Sequence, residues 1–418
     1  MSEVIIKPSS LNGKITVPPS KSDVHRAIIC AALAKGISRI SPVAFSEDIS
    51  ATIDCIKALG AKVTNDGDGI IVDSREIFSV DRVVLNCRES GSTVRFFIPV
   101  AAAGGVNAEF IGHGRLPKRP LDVYETLLPQ HGVECVTEGG LPFEIKGNLA
   151  AGRYELTGGI SSQFITGLLF ALPTLSKDSV IHLTSPLQSK GYIDMTLDVM
   201  RRFGVKVECK DSDFYIKGGQ KYKPCEYKTE GDWSQAAFFL VGGAINGDVT
   251  VVGVRRNSYQ GDKEIVSLLK RFGAEIVQED DYVTCRKAKL KGIEIDAAQI
   301  PDLVPILAVC GVFAQGTTRI YNAQRVRLKE SDRLLAISEG LGACGANISQ
   351  TSDGLITEGL DKISEGKAEG YNDHRIVMSM AIAGLRCTGD ITVTDKESIT
   401  KSYPDFFVDY NSLGGKSI

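Results

Sequence analysis

The stretch RFGVKVECKDSDFYI, residues 202–216, reads as a helix end, a glycine and two short strands. The same reading returns at 271–285 as RFGAEIVQEDDYVTC. Looser copies are ALGAKVTNDGDGIIV (58–72), QHGVECVTEGGLPFEI (130–145) and ACGANISQTSDGLIT (343–357). In each, the glycine stands where a helix needs a left-handed residue after its last turn, a conformation that favours a residue without Cβ. These glycines are Gly60, Gly132, Gly204, Gly273 and Gly345, with spacings of 72, 72, 69 and 72. One more step reaches Gly414, in the closing NSLGG, where the chain is expected to end before strands could follow.

A second series runs out of phase with the first. It consists of small, apolar helical stretches: SDVHRAIICAALA, GSTVRFFIPVAAA, SSQFITGLLFALP, DWSQAAFFLVGGA, PDLVPILAVCGVF and NDHRIVMSMAIAG, beginning near residues 22, 91, 161, 232, 301 and 372. They are apolar on most faces and are expected to be buried, whereas amphipathic helices such as DMTLDVMRRFG should cover the outside. Six repeats of about 70 residues account for the chain and divide into two groups of three. An α/β protein of two domains is predicted, one formed by 1–19 with 231–418 and an inserted one by 20–230. The crossings fall near Pro18–Ser20 and Glu230–Gly231, which leaves the opening strand VIIKPSSLNGKITV with the C-terminal group.

The chain has 418 residues, 43% of them hydrophobic, and a net charge of −3. With a mean hydropathy close to zero, this describes a globular protein rather than a basic nucleic-acid binder. No apolar run reaches the roughly 18 residues of a membrane span. MSEVIIKPSS resembles neither a secretory signal nor an Arg-rich transit peptide, so a cytoplasmic location is expected. The ten cysteines form no CxxC and no Cys/His cluster with zinc-like spacing, so buried free thiols and no metal are expected.

Polar residues gather where the buried helices begin, and exposed N–H groups at helix N-termini favour anions. The candidates are Lys21, Ser22 and Arg26; Ser90, Gly91, Ser92 and Arg95; Ser161, Ser162 and Gln163; Asp302; and Asp373, His374 and Arg375. Loops before the amphipathic helices add Arg119, Ser189 to Tyr192, Lys329 to Arg333, and Lys401. Arg and Lys suit carboxylates and phosphates. A Ser or Asp at such a place also reads as an ordinary N-cap. Arg95 and Arg375 precede apolar runs and would be costly to bury unpaired.

PSKSDVHRA, GSTVRF, KRPLD, SSQFITGLL, SKGYID, IPDLVP, RLKESDRL, YNDHRIVM and KSYPDFF occur in that order between about residues 5 and 410. The chain thereby resembles the 5-enolpyruvylshikimate-3-phosphate synthase family. The resemblance implies a two-domain inside-out α/β barrel of the enolpyruvyl transferase type, three repeats per domain, with the active site in the interdomain cleft. It implies transfer of the enolpyruvyl group of phosphoenolpyruvate to shikimate 3-phosphate, with no cofactor, in a protein expected to be a monomer. It assigns Lys21, Ser22, Arg26, Ser161, Ser162, Gln163, Ser189, Tyr192, Asp302, Arg325 and Lys329 to shikimate 3-phosphate. It assigns Lys21, Gly91, Arg119, Gln163, Arg333, Arg375 and Lys401 to phosphoenolpyruvate. Asp302 and Glu330 would be the acid/base carboxylates, with Lys21 and His374 assisting.

Glu89 and Arg325 stand where family members often carry Asn. Gly91 keeps the small residue beside phosphoenolpyruvate, so the resemblance implies glyphosate sensitivity. Two alternatives are a transferase acting on UDP-N-acetylglucosamine and a non-catalytic anion binder. The first typically has Lys-Asn at the first motif and a reactive cysteine in a mobile loop; this chain has Lys21-Ser22 and no cysteine in GHGRLPKRPLD.

Overall fold

The computed structural model describes residues 2–159 and 161–418. Contacts divide the chain into two units. One takes the chain up to Pro18 and resumes at Glu230; the other runs Pro19–Thr229. Each unit has its own hydrophobic core and, among the described residues, three four-stranded sheets.

The second repeat shows the common path. Strand Arg82–Asn86 leads into helix Gly91–Ala103, which returns as Asn107–Ile111, parallel to the first strand. Helix Asp122–Leu127 follows, then strands Val133–Val136 and Phe143–Gly147. Phe143–Gly147 pairs antiparallel with both Asn107–Ile111 and Val133–Val136. A parallel pair needs a long crossover, and the apolar helix supplies it. The equivalent helices are Lys21–Leu33, Ser162–Ala171, Trp233–Asn246, Val304–Val312 and His374–Ala383, nearly all of whose residues are buried. Small residues let them approach closely. A Cβ on Gly167 would lie 2.4 Å from the Arg95 carbonyl oxygen and 2.6 Å from the Tyr124 hydroxyl.

All six C-terminal glycines, Gly414 included, have φ between 78° and 108°. The amphipathic helices each bury one face. Lys190–Arg202 buries Ile193, Met195, Val199 and Met200 and exposes Arg201 and Arg202.

Two expectations need correction. VIIKPSSLNGKITV forms two strands serving different sheets. Glu3–Lys7 pairs with Ile391–Thr394 and Lys416–Ser417, whereas Leu11–Thr16 runs parallel to Gly247–Val252. Pro8, with no N–H to donate, stands at the break. A strand also does follow Gly414; Lys416–Ser417 is too short to show a period of two in sequence.

The chain also trades strands at its two crossings. Leu11–Thr16 precedes the first buried helix but completes the fourth repeat's sheet. Glu226–Lys228 precedes the fourth buried helix but completes the first repeat's sheet, parallel to Ile37–Ser41. No helix among the described residues is long and apolar enough to cross a membrane.

Candidate active site

In the unit Pro19–Thr229 the serines before the buried helices do cap them. Ser20, Ser90 and Ser161 accept the backbone N–H groups of Asp23, Thr93 and Gln163. With the caps in place, the first helical turn presents charge. Lys21 Nζ lies 2.7 Å from Asp48 Oδ2. Buried Arg26 donates to Thr196 Oγ1 (2.8 Å) and to the carbonyls of Ser22 (2.7 Å) and Tyr192 (3.1 Å). Its guanidinium also lies over the Phe96 and Tyr192 rings. Burial pulls its pKa down to about 10, which leaves it a cation at neutral pH. Ser189 is buried in the left-handed region (φ 54°), and its carbonyl accepts the Tyr192 N–H.

Arg95, the buried arginine that needed partners, donates to Gln163 Oε1 (2.8 Å) and to the Pro120 carbonyl (2.8 Å) and lies over the Phe164 ring. Gln163 Nε2 in turn donates to Ser92 Oγ. Arg95 thus ties Gln163 to the KRPLD loop, where Arg119 is buried. A Cβ on Gly91 would lie 2.7 Å from the Arg119 guanidinium. Ser162 is buried; Ser22 and Ser161 are half-buried.

The other unit holds a denser cluster. Arg333, 1% exposed, is its centre. Its Nε donates to Asp373 Oδ2 (2.8 Å), Nη1 to Asp302 Oδ1 (2.9 Å) and Nη2 to Glu330 Oε2 (2.7 Å). Three carboxylates on one guanidinium raise its pKa against the effect of burial. Asp302 also lies 3.5 Å from Lys329 Nζ and 3.7 Å from Arg375 Nη2, and its carbonyl accepts from Arg375 Nη1. Lys401 Nζ donates to the Asn372 carbonyl (2.7 Å). His374 is buried, with Nδ1 3.9 Å from Asp373 Oδ1. Arg325 donates to the Ala298 carbonyl (2.8 Å). Glu89, in the unit Pro19–Thr229, packs against Gly114.

Asp373 is engaged within the protein. Its Oδ1 caps helix His374–Ala383, and the carboxylate also binds Arg333 and Ser331. Burial pushes its pKa up, but Arg333 outweighs this and holds it below the usual carboxylate range.

Asp48 and Asp262 were missed in sequence. Both lie where amphipathic helices begin, Asp48 in the first turn of Glu47–Ala58 and Asp262 in the 3-10 turn Gly261–Glu264, within FSEDI and QGDKE, the first- and fourth-repeat counterparts of KRPLD, SKGY, KESDR and TKSYPDFF. Aligning those loops across the repeats was the available signal. Asp262 is buried and accepts from Ser234 Oγ. Burial, reinforced by Asp302, raises its pKa to about 7, although Arg375 and the Ser234 hydroxyl act the other way and Asp232 adds to the rise. A carboxyl whose pKa is higher folded than unfolded holds its proton better in the native state. Its stabilisation is complete below the unfolded value and is lost as pH rises through about 7. Asp262→Asn should therefore match the native chain at about pH 4 and exceed it at about pH 8 by on the order of 4 kcal/mol. Urea unfolding across that range checks the crossing.

Cys209 is exposed, unlike the buried thiol expected of it; the other cysteines are buried or half-buried, and all ten are free. Among the described residues no group of three or more His, Cys, Asp or Glu is placed to hold a metal ion.

The family model for EPSP synthase (3-phosphoshikimate 1-carboxyvinyltransferase) matches residues 5–409. The chain belongs to the EPSP synthase family. The 3-phosphoshikimate 1-carboxyvinyltransferase of Clostridium acetobutylicum is 45% identical, over 99% of this chain and 98% of that protein. That of Clostridium novyi is 43% identical, with the same coverage. The solved EPSP synthase of Acinetobacter baumannii superposes with a TM-score of 0.84 at 27% identity, covering 100% of both chains. The fold is the family's two-domain inside-out α/β architecture, its apolar helices buried within sheets.

Proposed function

We propose that this chain transfers the enolpyruvyl group of phosphoenolpyruvate to the 5-hydroxyl of shikimate 3-phosphate and releases phosphate, as a cytoplasmic monomer. The observation that carries the reading is the cluster on Arg333. Of its three carboxylates Asp373 is taken up in capping a helix, whereas Asp302 and Glu330 stand beside three cations with no such task among the described residues. A site built only to hold anions has no use for carboxylates among its cations, whereas proton transfer needs them.

The two substrates carry two phosphates and two carboxylates, and bringing them together needs cationic clamps. Lys21, Gly91, Arg119, Gln163, Arg333, Arg375 and Lys401 take phosphoenolpyruvate. Lys21, Ser22, Arg26, Ser161, Ser162, Gln163, Ser189, Tyr192, Asp302, Arg325 and Lys329 take shikimate 3-phosphate. Asp302 accepts the hydroxyl proton as the oxygen attacks the enol carbon. Glu330, or Lys21, protonates the methylene, and His374 assists. In the tetrahedral intermediate the same methyl group gives a proton back as the carbon–oxygen bond to phosphate breaks.

The test is phosphate release from phosphoenolpyruvate with shikimate 3-phosphate or UDP-N-acetylglucosamine as acceptor. Release with shikimate 3-phosphate alone supports the reading. Release with the nucleotide sugar alone, or with neither despite tight binding, overturns it.

Two predictions belong to the phosphoenolpyruvate contacts. Gly91→Ala pushes the Arg119 guanidinium aside, and should raise KM for phosphoenolpyruvate about tenfold, the effect of ~1.4 kcal/mol, with little change for shikimate 3-phosphate. Steady-state kinetics with each substrate varied checks it. Glyphosate should inhibit in competition with phosphoenolpyruvate; unchanged turnover at high glyphosate and low phosphoenolpyruvate would refute this.

A further inference from the structure

His25 lies on the helix that carries Lys21 and Arg26, yet no step of the reaction uses it. It is 1% exposed. Its Nδ1 lies 2.7 Å from Thr52 Oγ1, which lies 2.8 Å from Thr93 Oγ1. The Thr93 hydroxyl donates to Ser90 Oγ (2.8 Å), and Ser90 Oγ also accepts the Thr93 backbone N–H. All four side chains are buried. The row crosses three elements. His25 belongs to Lys21–Leu33 and Thr52 to Glu47–Ala58, one turn after Asp48; Ser90 and Thr93 form the start of Gly91–Ala103.

The Thr52 hydroxyl has one proton, for which Nδ1, Thr93 Oγ1 and the Asp48 carbonyl, 3.3 Å away, are all within reach. The far ring nitrogen decides between them. If Nε2 carries no proton, the neutral ring carries it on Nδ1 and donates to Thr52. Nε2 is buried and meets no hydrogen-bond partner among the described residues. A bare lone pair is tolerable there, whereas an N–H buried without an acceptor is rare and costly. A second ring proton would meet the same obstacle. Burial, with Lys21 and Arg26 nearby, holds the ring neutral, and the uncharged Thr52 meets it from helix Glu47–Ala58, backed by the uncharged Thr93.

We infer that His25 is a positioning residue that, through Thr52 and Thr93, locks the Asp48 turn and the Gly91 helix start into one geometry and so sets affinity for phosphoenolpyruvate without touching it. The kinetic half of this rests on the assignment of Lys21 and Gly91 to phosphoenolpyruvate; the proton placement does not.

The experiment has one arm for each half. Nitrogen-15 NMR of the full chain, with the His25 signal identified by its loss in His25→Asn, should show a neutral ring protonated on Nδ1 between about pH 5.5 and 8. A proton on Nε2, or a ring that titrates near its ordinary value, overturns the inference. In kinetics, His25→Leu and Thr52→Val should each raise KM for phosphoenolpyruvate up to about tenfold, the effect of one net hydrogen bond. KM for shikimate 3-phosphate should stay within about twofold. The double variant should be no worse than either single one, because both break the same row. His25→Asn, whose amide N–H can take the place of the Nδ1 proton, should restore KM. Equal rises for both substrates, effects that multiply in the double variant, or no rescue by Asn overturn the inference. A native chain without turnover sinks the proposed reaction and leaves the NMR arm to decide on His25.

Discussion

Asp302→Asn should lower kcat by about 10²–10⁴-fold, the usual worth of a positioned general base. Neither substrate should bind more weakly. The Asp302 carboxylate lies among Arg333, Lys329 and Arg375 at 2.9, 3.5 and 3.7 Å. Asn keeps an oxygen for Arg333 to bond but deletes a negative charge from among three cations. The remaining positive charge favours anions, so KM for phosphoenolpyruvate should hold or fall while kcat collapses. Stopped-time phosphate release, together with direct binding of shikimate 3-phosphate, separates the two effects. Unchanged kcat would remove Asp302 from the proton route. Weakened binding of shikimate 3-phosphate with unchanged kcat would make it a substrate contact only. Glu330→Gln should act in the same direction, and its size relative to Asp302→Asn ranks the two carboxylates.

Arg333→Met should cost about 3–5 kcal/mol of stability, because it strands buried charges that have no other guanidinium of this geometry. Asp302, Glu330 and Asp373 all bond the Arg333 side chain, and Asp373 is fully buried. Arg333→Lys should rescue little, since a single point charge cannot reproduce a planar fork that bonds three carboxylates. The pH dependence distinguishes this from simple cavity formation. In the native chain Arg333 holds the Asp373 pKa below its unfolded value. That contribution is present above the unfolded value and is lost as pH falls through the folded one. Without Arg333, burial, reinforced by Glu330 and opposed by His374, should raise the folded value above the unfolded one. The variant should then gain stability, relative to the native chain, as pH falls through the ordinary carboxylate range and the proton goes on. Denaturant midpoints at several pH values check the reversed slope. A constant deficit at all pH values would mean that lost packing, not stranded charge, explains the cost.

Much of this protein is legible in its residues alone. Repeats at about 70-residue spacing are set by local chemistry: a glycine that alone tolerates positive φ cheaply, and apolar runs that must be buried. The site residues are visible for a related reason. Ser90, Ser161 and Asp373 mark helix starts by their capping chemistry, and Arg95 and Arg375 are too expensive to bury without partners. What the chain carries locally, it announces locally.

Only the tertiary structure decided the pairings. That Arg333 gathers Asp302, Glu330 and Asp373, or that Lys21 meets Asp48, depends on contacts between residues 3 to 40 positions apart. No periodicity records such contacts, because a salt bridge is specified by distance in space. The exchange of strands Leu11–Thr16 and Glu226–Lys228 was hidden for the same reason: a strand's sequence shows which face is apolar but not which neighbour completes its hydrogen bonds. The row from His25 to Ser90 is the sharpest case. A histidine, two threonines and a serine look like ordinary polar residues in sequence, and become one proton-ordered unit only when three helices bring them within 2.8 Å.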